Sequence, residues 1–184
     1  MTTFATGMSY AAIAAFALLL VGAALSDVKR YIISNRLNLA VAGSSVVFLL
    51  AQSLLPPDLR TINLSLLYIA KTVGAAALVF AVCLVLFAKG VMGGGDVKLI
   101  TLCTLWAGPP LVLPFIFVTA LAGGVVTLGV LVVERLKRLG VPASQIVNPL
   151  ALRMSQSKVP YGLGIATGGL YVATALATQA GLGG

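Results

Sequence analysis

Long apolar runs recur along this chain, and they constrain its fold more than any other feature of the sequence. A helix of about 20 apolar residues crosses a bilayer, and most of the runs approach or exceed that length. Only 9% of the residues are charged, against about 25% in soluble domains, and short segments of alternating hydrophobicity typical of β-barrels do not occur. Residues 1–184 are therefore predicted to form one all-α membrane domain. The runs cover residues 4–25, 38–55, 62–88, 96–106, 111–133 and 161–180.

Proline and glycine separate several of these runs, because proline cannot continue a helix. The second run stops at Pro56-Pro57, and Gly108-Pro109-Pro110 divides the fourth run from the fifth. Lys71 lies inside the third run, where its stem is expected to carry the ammonium outward to the membrane surface. The first run lacks the basic segment that precedes a cleaved signal peptide, so it is predicted to remain as a span. The fourth run is short and either crosses the membrane or re-enters without crossing.

The basic residues decide between these two possibilities, because cytoplasmic loops are enriched in Lys and Arg. If the fourth run crosses, only Arg60 and Lys71 lie away from the cytoplasmic side. We therefore predict six transmembrane helices with both termini outside the cytoplasm. The remaining basic residues then share one side: Lys29, Arg30, Arg36, Lys89, Lys98, Arg135, Lys137, Arg138, Arg153 and Lys158.

The net charge of +8 fits basic loops beside anionic lipid and does not require a nucleic-acid partner. There is no soluble basic domain in which nucleic acid would bind, so none is expected. The chain has no histidine, and Cys83 and Cys103 lie in apolar runs without a CxxC pair. A Cys/His zinc site and Ser-His or Cys-His catalysis are thereby excluded, and no metal is predicted.

The acidic residues are few, and two of them lie at positions that indicate function. The chain has only Asp27, Asp58, Asp96 and Glu134. Asp27 ends the first apolar run, and Asp96 follows three consecutive glycines. Ionisable groups this close to hydrocarbon are costly and are candidate functional residues. In the predicted topology both carboxylates lie at the cytoplasmic face, where they can meet.

Two adjacent carboxylates can catalyse hydrolysis without a metal, a histidine or a nucleophilic serine. They cannot both ionise readily, so they share a proton. The ionised member takes a proton from water while the protonated member polarises a peptide carbonyl, which gives a gem-diol intermediate. Simpler interpretations stay open at this point. Asp27 could end a helix in a solvated loop, Asp96 could be the N-cap of a helix that begins at Val97, and the glycines could form a flexible turn.

These residues resemble the signatures of a known family. Gly93-x-Gly95-Asp96 is similar to the GxGD motif of type IV prepilin peptidases, which are intramembrane aspartic proteases, and of presenilin-like proteases. Asp27, followed by Ile33 and by the sequence Asn-Arg-Leu-Asn at 35–38, resembles the first-aspartate block of that family. The sequence Val-Pro-Tyr-Gly at 159–162 is similar to a third element of its short branch. The resemblance extends over most of the chain.

The resemblance implies a role for several residues. Asp27 and Asp96 would be the catalytic dyad, and the active-site loop would consist of Gly93, Gly94 and Gly95. A substrate backbone could lie against these glycines, because they carry no side chains. Asn35, Asn38 and Lys98 also match the motifs and would be supporting residues. An equally open interpretation is that they are polar loop residues that face water and lipid headgroups.

The implied substrate is a prepilin with a polar or basic leader and an apolar N-terminal helix, in the inner membrane of a bacterium. Full-length prepilin peptidases also carry paired CxxC motifs and methylate the new N-terminus with S-adenosylmethionine. The first loop here is short and has no CxxC, so neither a cofactor nor methyltransferase activity is expected. The small size resembles the CpaA/TadV-like branch, which serves Flp-type pili.

Two other functions stay open from the sequence. A small transporter or channel could use Asp27 and Asp96 to bind a proton or cation. Such proteins carry ionisable residues near the middle of the bilayer and internal repeats, whereas these acids lie at the ends of runs. An assembly partner could pack through Gly164-x-x-x-Gly168 in the last run, but this spacing is also common where helices of one chain pack closely.

Overall fold

The computed structural model describes residues 1–139 and 161–182, and within them it contains helices and no strand. This confirms the predicted all-α class. Predictions for residues 140–160, including Arg153, Lys158 and the start of the third motif, lie outside the described residues. A single 3-10 turn covers Pro57–Leu59. The helices are α1 (Thr2–Arg30), α2 (Asn35–Leu54), α3 (Leu66–Ala88), α4 (Gly94–Arg138) and α5 (Tyr161–Leu182).

Helix α1 continues one turn beyond the end of the first apolar run. The interpretation that Asp27 ends a helix in a solvated loop is therefore wrong, because Asp27 is buried inside the last turn of the helix. Lys29 and Arg30 complete that turn, where positive charge is favourable against the helix dipole. Tyr31 ends the helix in a left-handed conformation, with φ 53°, and its N–H donates to the Asp27 carbonyl at 2.8 Å.

Serine caps set the starts of α2 and α3, which the apolar pattern misplaced. The Ser34 hydroxyl accepts a hydrogen bond from the Leu37 N–H, and the Ser65 hydroxyl accepts one from the Tyr68 N–H. Helix α2 consequently begins before residue 38 and α3 begins after residue 62. The polar residues at 35–38 lie on a helix, not in a loop.

Helix α4 is interrupted at Gly108, where φ is 59° and the backbone is not helical. Pro109 and Pro110 follow directly, as the sequence predicts for a break. The break divides α4 into a first arm, residues 94–107, and a second arm, residues 109–138. A Cβ on Gly108 would overlap the Tyr68 hydroxyl, so the turn also needs glycine for space.

Contacts with α5 show that the two arms run in opposite directions. A Cβ built on Gly169 of α5 would lie 3.3 Å from the Cys103 sulfur in the first arm. Moving toward the start of α5, a Cβ on Gly168 would lie 3.0 Å from the Phe115 carbonyl, and one on Gly164 would lie 2.9 Å from the Gly123 nitrogen. Residue numbers in the second arm therefore rise as those in α5 fall. The fourth and fifth apolar runs form an antiparallel helical hairpin.

The first arm of α4 lies at the centre of the bundle. Trp106 stacks on Phe16 of α1 and Phe48 of α2, with ring centroids 4.3 Å and 5.0 Å apart. Its indole N–H donates to the Val41 carbonyl at 3.4 Å. These contacts fix α1 and α2 against the arm that begins with Asp96, so three helices hold one another in register.

Helices α1 to α4 are each long and apolar enough to cross a membrane, which makes this a multi-pass membrane protein. Helix α5 is less apolar and is not one of these four helices. It is rich in Gly, Ala and Thr and buries much of its length against α1 and α4, where small residues favour close packing. The prediction of six crossings with both termini outside therefore stays a prediction.

Candidate active site

Asp27 is buried beneath the start of α5. Its side chain is 3% exposed, and its Oδ2 accepts a hydrogen bond from the Gly162 N–H at 2.7 Å. The Leu163 backbone also hydrogen-bonds to this carboxyl group. The first N–H groups of a helix have no partner within the helix and carry partial positive charge. Asp27 thus occupies the N-terminus of a helix from a distant part of the chain.

Asp96 lies in the first turn of α4, and its side chain is 9% exposed. The Gly93 backbone hydrogen-bonds to its carboxyl group, so Asp96 occupies the N-terminus of its own helix. The helix already begins at Gly94, which contradicts the interpretation of Asp96 as the N-cap of a helix that begins at Val97. Among the described residues, its Oδ1 is buried without a hydrogen-bond partner.

The structure brings the two carboxyl groups together at one end of the bundle, where they interact electrostatically. Ile33 packs beside both of the elements that hold them. A Cβ on Gly95 would lie 2.7 Å from the Ile33 carbonyl, and one on Gly162 would lie 2.9 Å from the Ile33 Cδ1. Two helix N-termini therefore meet at a pair of buried acids. Their partial positive charges offset the repulsion that two nearby carboxylates would otherwise experience.

Each of the three glycines before Asp96 has a close neighbour at the position where a side chain would begin. A Cβ on Gly93 would lie 2.8 Å from Oδ2 of Asp96, and one on Gly94 would lie 3.3 Å from the ring of Phe87. The prediction of one loop over the three glycines is wrong for two of them, since Gly94 and Gly95 are the first residues of α4. Gly93 is exposed and Gly94 and Gly95 are half-buried, so contact of a substrate backbone with these glycines stays a prediction.

The predicted supporting residues connect α2 to the first turn of α4. The Asn38 side-chain amide donates to the Gly95 carbonyl at 3.2 Å, and the Lys98 ammonium donates to Asn35 Oδ1 at 2.8 Å. These bonds hold the residue next to Asp96 and the residue two positions beyond it. The side chains therefore support the turn that carries the carboxylate.

The sequence model of the type IV leader peptidase family matches residues 13–128. The match covers more than half of the chain and includes both aspartates. The chain belongs to the type IV leader peptidase family. A search of curated proteins and a search of solved structures gave no match.

The candidate site contains one residue that the sequence alone did not mark as a site residue, Gly162. Its N–H binds Asp27, and a Cβ on it would lie 2.7 Å from Oδ2 of that residue. Gly162 lies beyond the family match, although it belongs to the third motif quoted from the sequence. Within the described residues, His, Cys, Asp and Glu form no cluster that could hold a metal ion.

Proposed function

We propose that this type IV leader peptidase is an aspartic endopeptidase in which Asp27 and Asp96 activate water. One observation carries the proposal: two buried carboxyl groups, far apart in sequence, lie at the same end of the helical bundle, where Ile33 packs against both Gly95 and Gly162. An acid that only stabilises a helix N-terminus needs no second acid beside it. Two neighbouring acids can share a proton and perform acid–base chemistry.

The hydrogen bonds favour different roles for the two acids. Asp27 accepts bonds from the start of α5, which stabilise its ionised form, so Asp27 acts as the base. Asp96 keeps one oxygen free of protein partners among the described residues, and a proton on that oxygen can be donated to a peptide carbonyl.

The reaction then balances without a covalent intermediate. Water adds its oxygen to the carbonyl carbon as its proton passes to Asp27, and Asp96 donates its proton to the carbonyl oxygen. The product is a gem-diol. When the C–N bond breaks, Asp27 returns its proton to the leaving nitrogen and a hydroxyl proton of the diol returns to Asp96. Both acids end in their starting states, and the step requires no cofactor.

We infer that the substrate is a prepilin, cut between its polar or basic leader and its apolar membrane helix. Basic residues at the aspartate end, including Lys29, Arg30, Arg36 and Lys89, support a cytoplasmic location for the site. We also propose that the protein lies in the bacterial inner membrane, crosses it six times and belongs to the branch that serves Flp-type pili. The absence of CxxC from the sequence supports cleavage without methyl transfer.

Cleavage of a candidate Flp-type prepilin by the reconstituted protein tests the dyad. Asp27→Asn and Asp96→Asn should each lower kcat by roughly 10²–10⁴-fold, the range for loss of general acid–base catalysis. Asp58→Asn is the matched control, because this acid lies in the exposed 3-10 turn away from the site. All variants should keep the helical circular dichroism and thermal unfolding of the parent.

Retained cleavage in either dyad variant would contradict the mechanism. Ion flux through the reconstituted protein, abolished by the same variants and without any cleavage, would instead support the transporter interpretation.

A further inference from the structure

The connector between α1 and α2, residues 31–34, is hydrogen-bonded at both ends. The Ser26 hydroxyl of α1 donates to the Ile32 carbonyl at 2.8 Å, which ties the connector back onto the helix that carries Asp27. At the other end, Ser34 caps α2 through its side chain. The connector therefore cannot move independently of these two helices.

Two adjacent isoleucines of the connector lie in opposite environments. Ile32 is 65% exposed, whereas Ile33 is 6% exposed. The hydrogen bond to the Ile32 carbonyl holds the connector in the orientation that directs Ile33 inward. The two residues share a side-chain type and a short stretch of backbone but differ in burial, so they form a matched pair for experiments.

Ile33 spans the space between the start of α4 and the start of α5. Its carbonyl and its Cβ lie 2.7 Å and 3.1 Å from the point where a Cβ on Gly95 would lie, beside Asp96. Its Cδ1 lies 2.9 Å from the point where a Cβ on Gly162 would lie. Oδ2 of Asp27 lies 2.7 Å from that second point. One buried residue therefore separates the backbone next to one acid from the backbone that hydrogen-bonds to the other.

We propose that Ile33 is a positioning residue that sets the distance between the two carboxyl groups, an inference that rests on the proposed dyad. Protein interiors are packed as densely as organic crystals, so a single methyl group at such a contact determines the separation of its neighbours. The Gly162 N–H transmits the position of α5 to Asp27 through their hydrogen bond. Gly95 transmits the position of the Ile33 backbone to Asp96 through the peptide bond. Ile33 takes no part in proton transfer, because its side chain has no polar atom.

A distance measurement tests this role without relying on catalysis. The chain has three aspartates, so in a protein with Asp58→Asn, aspartate labelled with ¹³C at Cγ reports only on Asp27 and Asp96. Magic-angle-spinning NMR of this protein in liposomes measures the dipolar coupling between the two labelled carbons and hence their distance. Ile33→Val removes the Cδ1 methyl group and should shorten this distance by at least about 0.5 Å, the tolerance of catalytic geometry. Ile32→Val is the matched control and should leave the distance unchanged.

The kinetics of prepilin cleavage give a second readout. Ile33→Val should lower kcat by roughly tenfold and leave KM unchanged, because a displaced acid loses transition-state stabilisation rather than substrate binding. Ile32→Val should leave both constants at the values of the parent.

A double variant, Ile33→Val with Gly162→Ala, separates positioning from a simple loss of packing. The methyl group of Gly162→Ala would meet both the Asp27 carboxyl group and the Ile33 Cδ1, and removal of Cδ1 gives that methyl group room to move off the carboxyl group. The double variant should therefore cleave prepilin at least as fast as Gly162→Ala alone. If Ile33 contributed only to stability, the two losses would multiply, and the double variant would be roughly tenfold slower than Gly162→Ala.

An unchanged or longer distance in Ile33→Val, or losses that multiply in the double variant, would overturn the positioning role. A parent protein that cleaves no prepilin would defeat the proposed function instead, and the ¹³C distance would still decide whether Ile33 separates the two carboxyl groups. Carboxyl carbons too far apart for a measurable coupling would defeat both.

Discussion

At the scale of single residues, the site depends on two carboxyl groups that each occupy a helix N-terminus. Asp96 lies in the first turn of its own helix, α4. Asp27 lies at the N-terminus of a different helix, α5, where it accepts a hydrogen bond from the Gly162 N–H. The resemblance identified both acids, and the positive-inside rule placed them at the same face. The donor to Asp27 could not be predicted, because nothing in the local sequence of Asp27 indicates which distant backbone it meets.

Gly162→Ala tests this contact. The added methyl group would lie 2.7 Å from Oδ2 and 2.9 Å from Cγ of Asp27, so the carboxyl group must move. A displacement of about 1 Å can cost roughly 100-fold in rate, and we expect kcat for prepilin cleavage to fall by that order. Gly181→Ala on the same helix is the control, since its methyl group would make only a 3.5 Å contact with the Tyr10 hydroxyl.

Activity equal to that of the parent in Gly162→Ala would show that the position of Asp27 does not depend on α5. A variant that unfolds would be recognised by its circular dichroism. Gly162→Ser, which adds a similar volume, would then be measured alongside it.

At the scale of helices, apolar runs predicted each α-helix that the structure describes, but they did not predict where the helices start. Polar residues outside the apolar runs set the ends of these helices. Capping serines begin α2 and α3, and α1 has an extra polar turn at its C-terminal end. The break at Gly108 was predicted from Gly-Pro-Pro. The reversal of the two arms became visible only from their contacts with α5.

The packing of α5 on the second arm of α4 gives a prediction for stability. Gly164 and Gly168 lie against the backbone of that arm, which supports packing within the chain over an assembly surface. Gly164→Ala places a methyl group 2.9 Å from the Gly123 nitrogen and should lower the free energy of unfolding by about 1–3 kcal/mol. Equilibrium unfolding in mixed detergent micelles measures this change.

Gly124→Ala is the matched control, because its methyl group would contact nothing within 4 Å. It should leave stability unchanged or raise it by up to about 1 kcal/mol, through the better helix propensity of alanine. If the two variants had the same stability, close packing of α5 on α4 would not be a source of stability.

At the scale of the whole molecule, the bundle has two chemically different ends. The aspartates, the start of α4 and the start of α5 lie at one end. The first turns of α1 and the last turns of α5 lie at the other, where Tyr10 approaches Gly181. The Gln52 amide donates to the Ser9 hydroxyl at 3.1 Å and closes α1 against α2 there.

Cysteine labelling tests the predicted orientation of these ends. In a protein with Cys83→Ala and Cys103→Ala, Asp58→Cys should react with a membrane-impermeant maleimide on intact cells. Val91→Cys lies in the exposed loop at the aspartate end and should react only after the inner membrane is permeabilised. The opposite pattern would place the aspartates outside the cytoplasm and contradict the topology.

The hydrogen bond from Gly162 to Asp27 joins residues 135 positions apart. Synthesis begins at the N-terminus, so Asp27 is made and inserted long before its donor exists. In a nascent chain that has inserted only α1 to α4, Asp27 lacks the hydrogen bond from Gly162. If the proposed dyad is correct, proteolytic activity would therefore appear only once α5 has packed against α1, and chains that stop before α5 would be inactive toward other proteins in the same membrane.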